Sequence, residues 1–322
     1  HYYSARYYKL ALLYSYLKAP ALIATRTQIP AVMELLKQAG LPVLWEHHEQ
    51  ITSDSHLRQF FQYPNLVGVV TISPYLAKNF IEHGLSADRI IVAPSGVDLE
   101  SFLPDRSKEA ARQQLGLDPA AKLIVYSGHL YDYKGIPTIL SVARLMPHCQ
   151  FILVGGWAED IARVQTTIQT QGLSNVRIVG HIPQPQIVPY LYAADVLLLP
   201  TSKSWQLSEV TSPLKLFEYM AVKRPIVSSA LPTIMTVLRH QETGLLVEPD
   251  EPIAFQNAIT QLLESPDFAQ TIADRAYEAV QDFTWEKRAT RILDFAAQQL
   301  DQHVKQRPSN SLQFIRSLQA SF

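Results

Sequence analysis

The chain has 322 residues, enough for two domains of about 150 each with large cores. Apolar residues make up 47% and charged residues 18%, and the net charge is −1, a globular balance that argues against a nucleic-acid partner. Cys149 is the only cysteine, so no intrachain disulfide or cysteine-built metal cluster forms, and a reducing compartment is permitted. No apolar run approaches the ~18 residues of a membrane span. The sequence opens His1-Tyr2-Tyr3 inside what reads as a helix, so a fragment, or a chain missing its first elements, is expected.

Tyr3, Tyr7, Leu10, Tyr14 and Leu17 recur at helical spacing and predict a helix over 4–18. It packs on a sheet or, as the weaker alternative, lies on a membrane surface, for which Arg6, Lys9 and Lys18 are few. Alternation follows. Strands are predicted at 21–24, 43–45, 66–72 and 90–92, with helices at 28–39, 54–62 and 74–83. Residues 99–120 are polar and punctuated by proline, and read as a linker. A second block has strands at 123–127, 151–154, 176–179, 196–199, 226–229 and 245–247, with helices between. From 251 to about 306 the pattern is helical, broken near Pro266 and Thr284; past Pro308 a loosely held tail is expected. This is the pattern of parallel sheets in an α/β chain, two doubly wound domains facing a cleft, with ligands at the carboxyl ends of strands.

The most informative stretch is 209–226. Ser212 reads as an N-cap and Pro213 as the first helical residue. Leu214, Phe217 and Met220 then recur at helical spacing, and Pro225 closes the helix. Its first turn carries Lys215. A helix start with free N–H groups and a cation suits an anion, phosphate above all. Glu218, one turn in, can accept hydrogen bonds from sugar hydroxyls. The plainer alternative is an ordinary capped helix under a sheet.

Gly128-His129-Leu130-Tyr131-Asp132-Tyr133-Lys134-Gly135 follows the first strand of the second block, where Lys134 could equally be a solvated loop lysine. Gly155-Gly156 and Gly180-His181-Ile182 end the next two strands and would let backbone approach a ligand. Trp45-Glu46-His47-His48-Glu49 ends a first-block strand; adjacent histidines point opposite ways, so one faces outward and one inward. Their spacing is poor for joint metal ligation. No Asp-x-Asp triplet is present; Asp98-Leu99-Glu100 is the nearest.

These motifs resemble those of glycosyltransferase group 1, family 4, enzymes with the GT-B fold. Glu218-Tyr219-Met220-Ala221 fits the second half of the family's donor-binding segment, whose first glutamate falls eight positions earlier; Val210 stands there and Glu209 is one position early. Pro94-Ser95-Gly96-Val97-Asp98 resembles the family's turn into the second domain, and Thr284-Trp285 its closing element. The resemblance implies a first domain over 1–105 lacking about two initial βα units, a nucleotide-sugar domain over 106–283, a helix over 284–306 crossing back, and a tail over 307–322. It implies retaining transfer from a UDP- or GDP-linked sugar to a carbohydrate or lipid-linked acceptor, without metal or further cofactor, in polysaccharide, lipopolysaccharide or glycolipid synthesis of the cell envelope. Cytoplasmic placement, with a peripheral contact at the inner face of the membrane, goes with it. His48 and Glu209 would be catalytic. Gly128, His129, Lys134, Gly156, His181, Ile182, Ser212, Pro213, Leu214, Lys215 and Glu218 would bind the donor, Lys134 at the diphosphate and the 181–182 backbone at the base. Two alternatives stay open: a non-catalytic protein that binds a nucleotide-sugar or partners another subunit, and a nucleotide-sugar epimerase of the same fold.

Overall fold

The computed structural model describes residues 22–103 and 106–306. The helix expected over 4–18 and the tail beyond 308 lie outside the described residues. The described residues form two compact units, one running up to Pro94 and joined by the segment from Glu286 to Gln306, the other within Ser95–Trp285.

The first unit holds four parallel strands in the order β1 (Ile23–Thr25), β2 (Val43–Glu46), β3 (Leu66–Thr71) and β4 (Ile90–Val92). Helices α1 (Pro30–Ala39) and α2 (Pro74–Glu82) connect them; the segment expected as a helix over 54–62 is a 3-10 stretch, His56–Gln62. All six residues of β3 are buried, as a strand covered on both faces requires. Trp45, Phe60, Phe80, Leu76 and Met33 fill its core.

The second unit carries six parallel strands, β5 (Lys122–Ser127), β6 (Cys149–Val154), β7 (Val176–Gly180), β8 (Val196–Leu199), β9 (Ile226–Ser229) and β10 (Leu245–Val247), in the order β10-β9-β8-β5-β6-β7. Its helices are α3 (Lys108–Leu115), α4 (Ile136–Leu145), α5 (Ala158–Thr170), α6 (Gln184–Ala193), α7 (Leu214–Ala221), α8 (Pro232–Met235), α9 (Pro252–Glu264) and α10 (Pro266–Val280). Buried apolar side chains cover both faces of the sheet, in two clusters. Chain order reverses between β5 and β8. That switch point opens a crevice at the carboxyl ends of the two strands.

Helix α11 (Trp285–Gln306) belongs to the first unit from Glu286 on. Phe295 packs over Gly68 of β3, where a Cβ would sit 2.7 Å from its ring, and Ala296 is buried with Leu44 and Val70. Only glycine at 68 leaves room for that ring.

Two expectations need correction. The stretch over 99–120 is no linker but part of the second unit. It contains a 3-10 turn, Leu99–Phe102, and α3, which is capped by the Ser107 hydroxyl and ended by Gly116 at φ 63°. The Phe102 carbonyl accepts from the Tyr192 hydroxyl at 2.9 Å, and the buried Arg112 donates to Asp195 at 2.7 Å. The chain therefore passes from one unit to the other after Pro94 and after Trp285, rather than after 105 and 283. Among the described residues, no helix is long and apolar enough to cross a membrane.

Candidate active site

The loops leaving β5 and β8 form the centre of the candidate site. After Ser127, Gly128 adopts φ 130°, and a Cβ there would lie 2.5 Å from Lys215 Nζ. Glycine thus lets an ammonium rest against the strand end. A 3-10 turn, Asp132–Lys134, then presents Lys134, and Gly135 at φ 86° starts α4. Lys134 Nζ stands 3.7 Å from the centre of the Trp205 ring, supplied by the loop after β8.

Helix α7 follows that loop. Its second residue, Lys215, places Nζ 3.9 Å over the Tyr126 ring. Glu218 is one turn on, on the same face. Burial lowers the Lys134 pKa to about 8. Burial, then the charge of Lys134, lowers that of Lys215 to about 7, against the pull of Glu218. Burial raises the Glu218 carboxyl, with Lys215 opposing. Among the described residues neither lysine forms an ion pair; each ammonium lies over an aromatic face instead. Two neighbouring cations, stripped of water beside a helix start, are an electrostatic arrangement that an anion would relieve. Tyr219, buried behind them, accepts from the Ser127 backbone N–H at 2.8 Å and ties α7 to the end of β5.

Rings extend this rim. His181 stacks on the exposed Trp157 at 5.0 Å, Trp157 meets His129 at a tilt at 5.9 Å, and His129 stacks on Tyr131 at 5.0 Å. Tyr131 meets Tyr133 at 5.2 Å, and Tyr133 stacks on Trp205 at 5.0 Å. Gly155 and Gly156, both at positive φ, turn the chain from β6 into Trp157. Sequence reasoning missed Tyr126, Tyr131, Tyr133, Trp157 and Trp205. Their signal was available: four of these five aromatics stand in loops just past strand ends, where turn residues are the norm.

Gly128, His129, Lys134, Gly156, His181, Lys215 and Glu218 therefore gather around this carboxyl edge. Other expected residues behave differently. Ser212 is not the N-cap of α7; its hydroxyl accepts from the Ser95 N–H at 2.9 Å, and its carbonyl accepts from the Ser95 hydroxyl at 3.0 Å. Pro213 takes the cap position, without a side-chain bond, and α7 begins at Leu214. Leu214 itself is exposed, and Ile182 packs against the core. Glu209 is exposed on the loop after β8, whereas Val210 is buried at 2%.

In the first unit the two histidines diverge. His47 is buried, stacked on Trp45 at 4.5 Å, with Nε2 lacking a partner. His48 is half-buried and bonded to Glu46 and Arg26. Among the described residues no cluster of three or more His, Cys, Asp or Glu is placed to hold a metal. A separate cavity of about 640 Å3 lies at the amino ends of the strands of the second sheet, beside Asp195 and Arg224, and includes none of the expected residues.

The fold is that of known GT-B proteins. A glycosyltransferase from Rickettsia africae superposes with a TM-score of 0.78 at 18% identity, covering 91% of this chain and 80% of that one. Anabaena HepE, solved in complex with UDP, gives 0.73 at 20% identity, covering 90% and 82%. In sequence, a D-inositol 3-phosphate glycosyltransferase of Xylanimonas cellulosilytica is 26% identical over 238 residues, 70% of this chain and 54% of that protein. One of Segniliparus rotundus is 28% identical over 214 residues, 64% and 46%. The chain spans about half the length of the curated relatives it matches. The family model for glycosyl transferases group 1 matches residues 107–279, more than half of the chain and the whole of the site at the β5–β8 switch point. This chain belongs to the group 1 glycosyl transferases.

Proposed function

We propose that the chain is the nucleotide-sugar-binding and transferring part of a retaining, family 4 hexosyltransferase. It moves a sugar from a UDP- or GDP-linked donor to an acceptor hydroxyl, in the synthesis of a polysaccharide, lipopolysaccharide or glycolipid of the cell envelope. The observation that carries this is the convergence of Lys134, Lys215 and the start of α7 at the switch point of the second sheet. Breaking the bond between sugar and diphosphate leaves two phosphates with growing charge, and fixed cations there stabilise that charge as it develops. Glu218, beside Lys215, is suited to accept from a sugar hydroxyl. Support comes from Anabaena HepE, whose structures hold UDP and UDP-glucose. Placement in the cytoplasm, at the inner face of the membrane, belongs to the same proposal.

A second reading has its own observation. Val210, apolar and buried, stands eight positions before Glu218, where a family carboxylate is expected. That favours a protein which binds a nucleotide-sugar without turning it over. Incubating the chain with labelled UDP- and GDP-sugars separates the two readings: release of free nucleoside diphosphate supports transfer, and binding without release supports the second. Because the two lysines supply the positive charge, a chelator should leave release unchanged. Loss restored by manganese would contradict that.

The lysines also set a pH dependence. Diphosphate binds their protonated forms, and their pKa values of about 8 and about 7 in the free protein lie far below the usual lysine range. Binding should take up protons near pH 8, and affinity should fall as pH rises from 7 to 9. Calorimetry of UDP binding in two buffers of different ionisation enthalpy reads the uptake directly. No uptake at pH 8 would count against both lysines as phosphate ligands.

A further inference from the structure

In the first unit, Glu46 closes β2 and His48 lies two residues on. The Nε2 of His48 is 2.8 Å from Glu46 Oε1, and the same oxygen accepts from Arg288 of α11 at 2.7 Å. Arg288 is itself anchored, donating to the carbonyls of Ala93 at 3.2 Å and Pro94 at 3.0 Å. On the other side of the ring, Nδ1 is 2.9 Å from an Arg26 guanidinium nitrogen.

These partners decide where the ring proton sits. A guanidinium only donates, so Nδ1 must carry a lone pair. The Glu46 carboxyl is held down to about 2 by its hydrogen bonds from His48 and Arg288, so it is ionised and only accepts. Nε2 must therefore carry the hydrogen. The opposite tautomer would face donor with donor at Arg26 and acceptor with acceptor at Glu46. Arg26 is exposed, one residue beyond β1, so its bond to Nδ1 is open to exchange.

We propose that Glu46 is the positioning residue of His48: it locks the Nε2–H tautomer, so that the ring offers the Nδ1 lone pair to a hydroxyl of the sugar or acceptor, in the place Arg26 fills here. The nature of that ligand rests on the transferase reading above; the tautomer lock does not. A residue that merely tied α11 to the sheet through Arg288 would leave the ring tautomer free.

The test is nuclear magnetic resonance of the whole chain labelled with 15N-histidine at pH 8, with His48 assigned by its loss in His48→Gln. The expected result is His48 wholly in the Nε2–H form. Glu46→Gln, whose amide oxygen still accepts, should keep that form, as should Arg26→Ala, in which the guanidinium no longer fixes the ring; Glu46→Ala added to Arg26→Ala should give a mixture. An Nδ1–H or mixed ring in the unaltered protein overturns the proposal, even if Glu46→Ala fails to fold. So does a ring that stays wholly Nε2–H when Glu46→Ala is combined with Arg26→Ala. Where sugar transfer is measurable, Glu46→Ala should lower kcat roughly tenfold or more with KM little changed, and Glu46→Gln should restore most of it. An unmoved kcat in Glu46→Ala contradicts the role toward substrate. Absence of transfer in the unaltered chain counts against the transferase reading alone, and the tautomer still decides the lock.

Discussion

Gly135→Ala should destabilise the second unit by about 2–6 kcal/mol, a loss at the upper end for a single methyl group. Two independent costs add. Gly135 sits at φ 86°, in the left-handed region that a side chain resists by about 1–3 kcal/mol. Its added Cβ would also fall inside the carbonyl oxygen of Pro200, the residue that follows β8. That oxygen belongs to backbone held by the central strands, so relief must come from moving the β5 and β8 loops apart, at an overpacking cost of about 1–3 kcal/mol. Lys134 directly precedes the glycine and Trp205 lies on the displaced loop, so any folded remainder should also bind diphosphate poorly. Urea denaturation of the variant measures the first effect. A change below about 1 kcal/mol would show that the β5 and β8 loops are not packed as described.

The second large effect is acid sensitivity of the first unit, through His47. Its ring is buried between Trp45 and Phe80, at 4.5 and 5.7 Å, and burial pushes its pKa down to about 4. An unfolded histidine titrates near 6.5. Between these values the unfolded chain holds a proton that the folded chain refuses. The unit is therefore at full stability above about pH 6.5 and loses stability as pH falls toward 4, by about 3 kcal/mol in all. Glu46 acts in the same direction but in a lower window, between the usual carboxylate value and about 2. His47→Phe keeps a flat ring in the stack and removes the titration, along with a buried nitrogen that has no partner. Its stability should change far less between pH 7 and 4.5. Equal losses in the variant and the unaltered chain would mean that His47 is not the group responsible.

Much of the fold could be read from runs of residues. Strands at 196–199, 226–229 and 245–247 match β8, β9 and β10 residue for residue, because short apolar stretches between turn residues, unbroken in β8 and β10 and opening β9 at Ile226-Val227, leave little choice in a sheet covered on both faces. Helix α3 escaped because its apolar side chains are few and mostly small: only Ala111 and Arg112 are buried, so the periodic signal is weak although its caps, Ser107 and Gly116, were in plain sight. The site divides in the same way. Glycines at strand ends and the lysine beside a helix start are local features. That Ser212 would answer Ser95 rather than cap α7 depends on a partner 117 residues away. The approach of Lys215 to Gly128 and Tyr126 likewise joins an α7 residue to the end of β5, and no local pattern announces it.

The central claim is that the carboxyl edge of the second sheet, at Lys134 and Lys215, holds the diphosphate of a nucleotide-sugar. Calorimetric titration of UDP and GDP, and of uridine and guanosine, into the unaltered chain and into Lys134→Ala tests it most directly. A charge-assisted hydrogen bond contributes about 1.5–3 kcal/mol, so the variant should bind the preferred diphosphate roughly tenfold to a hundredfold more weakly and its nucleoside about equally well. Equal losses for diphosphate and nucleoside, or a diphosphate affinity untouched by the substitution, would contradict the claim.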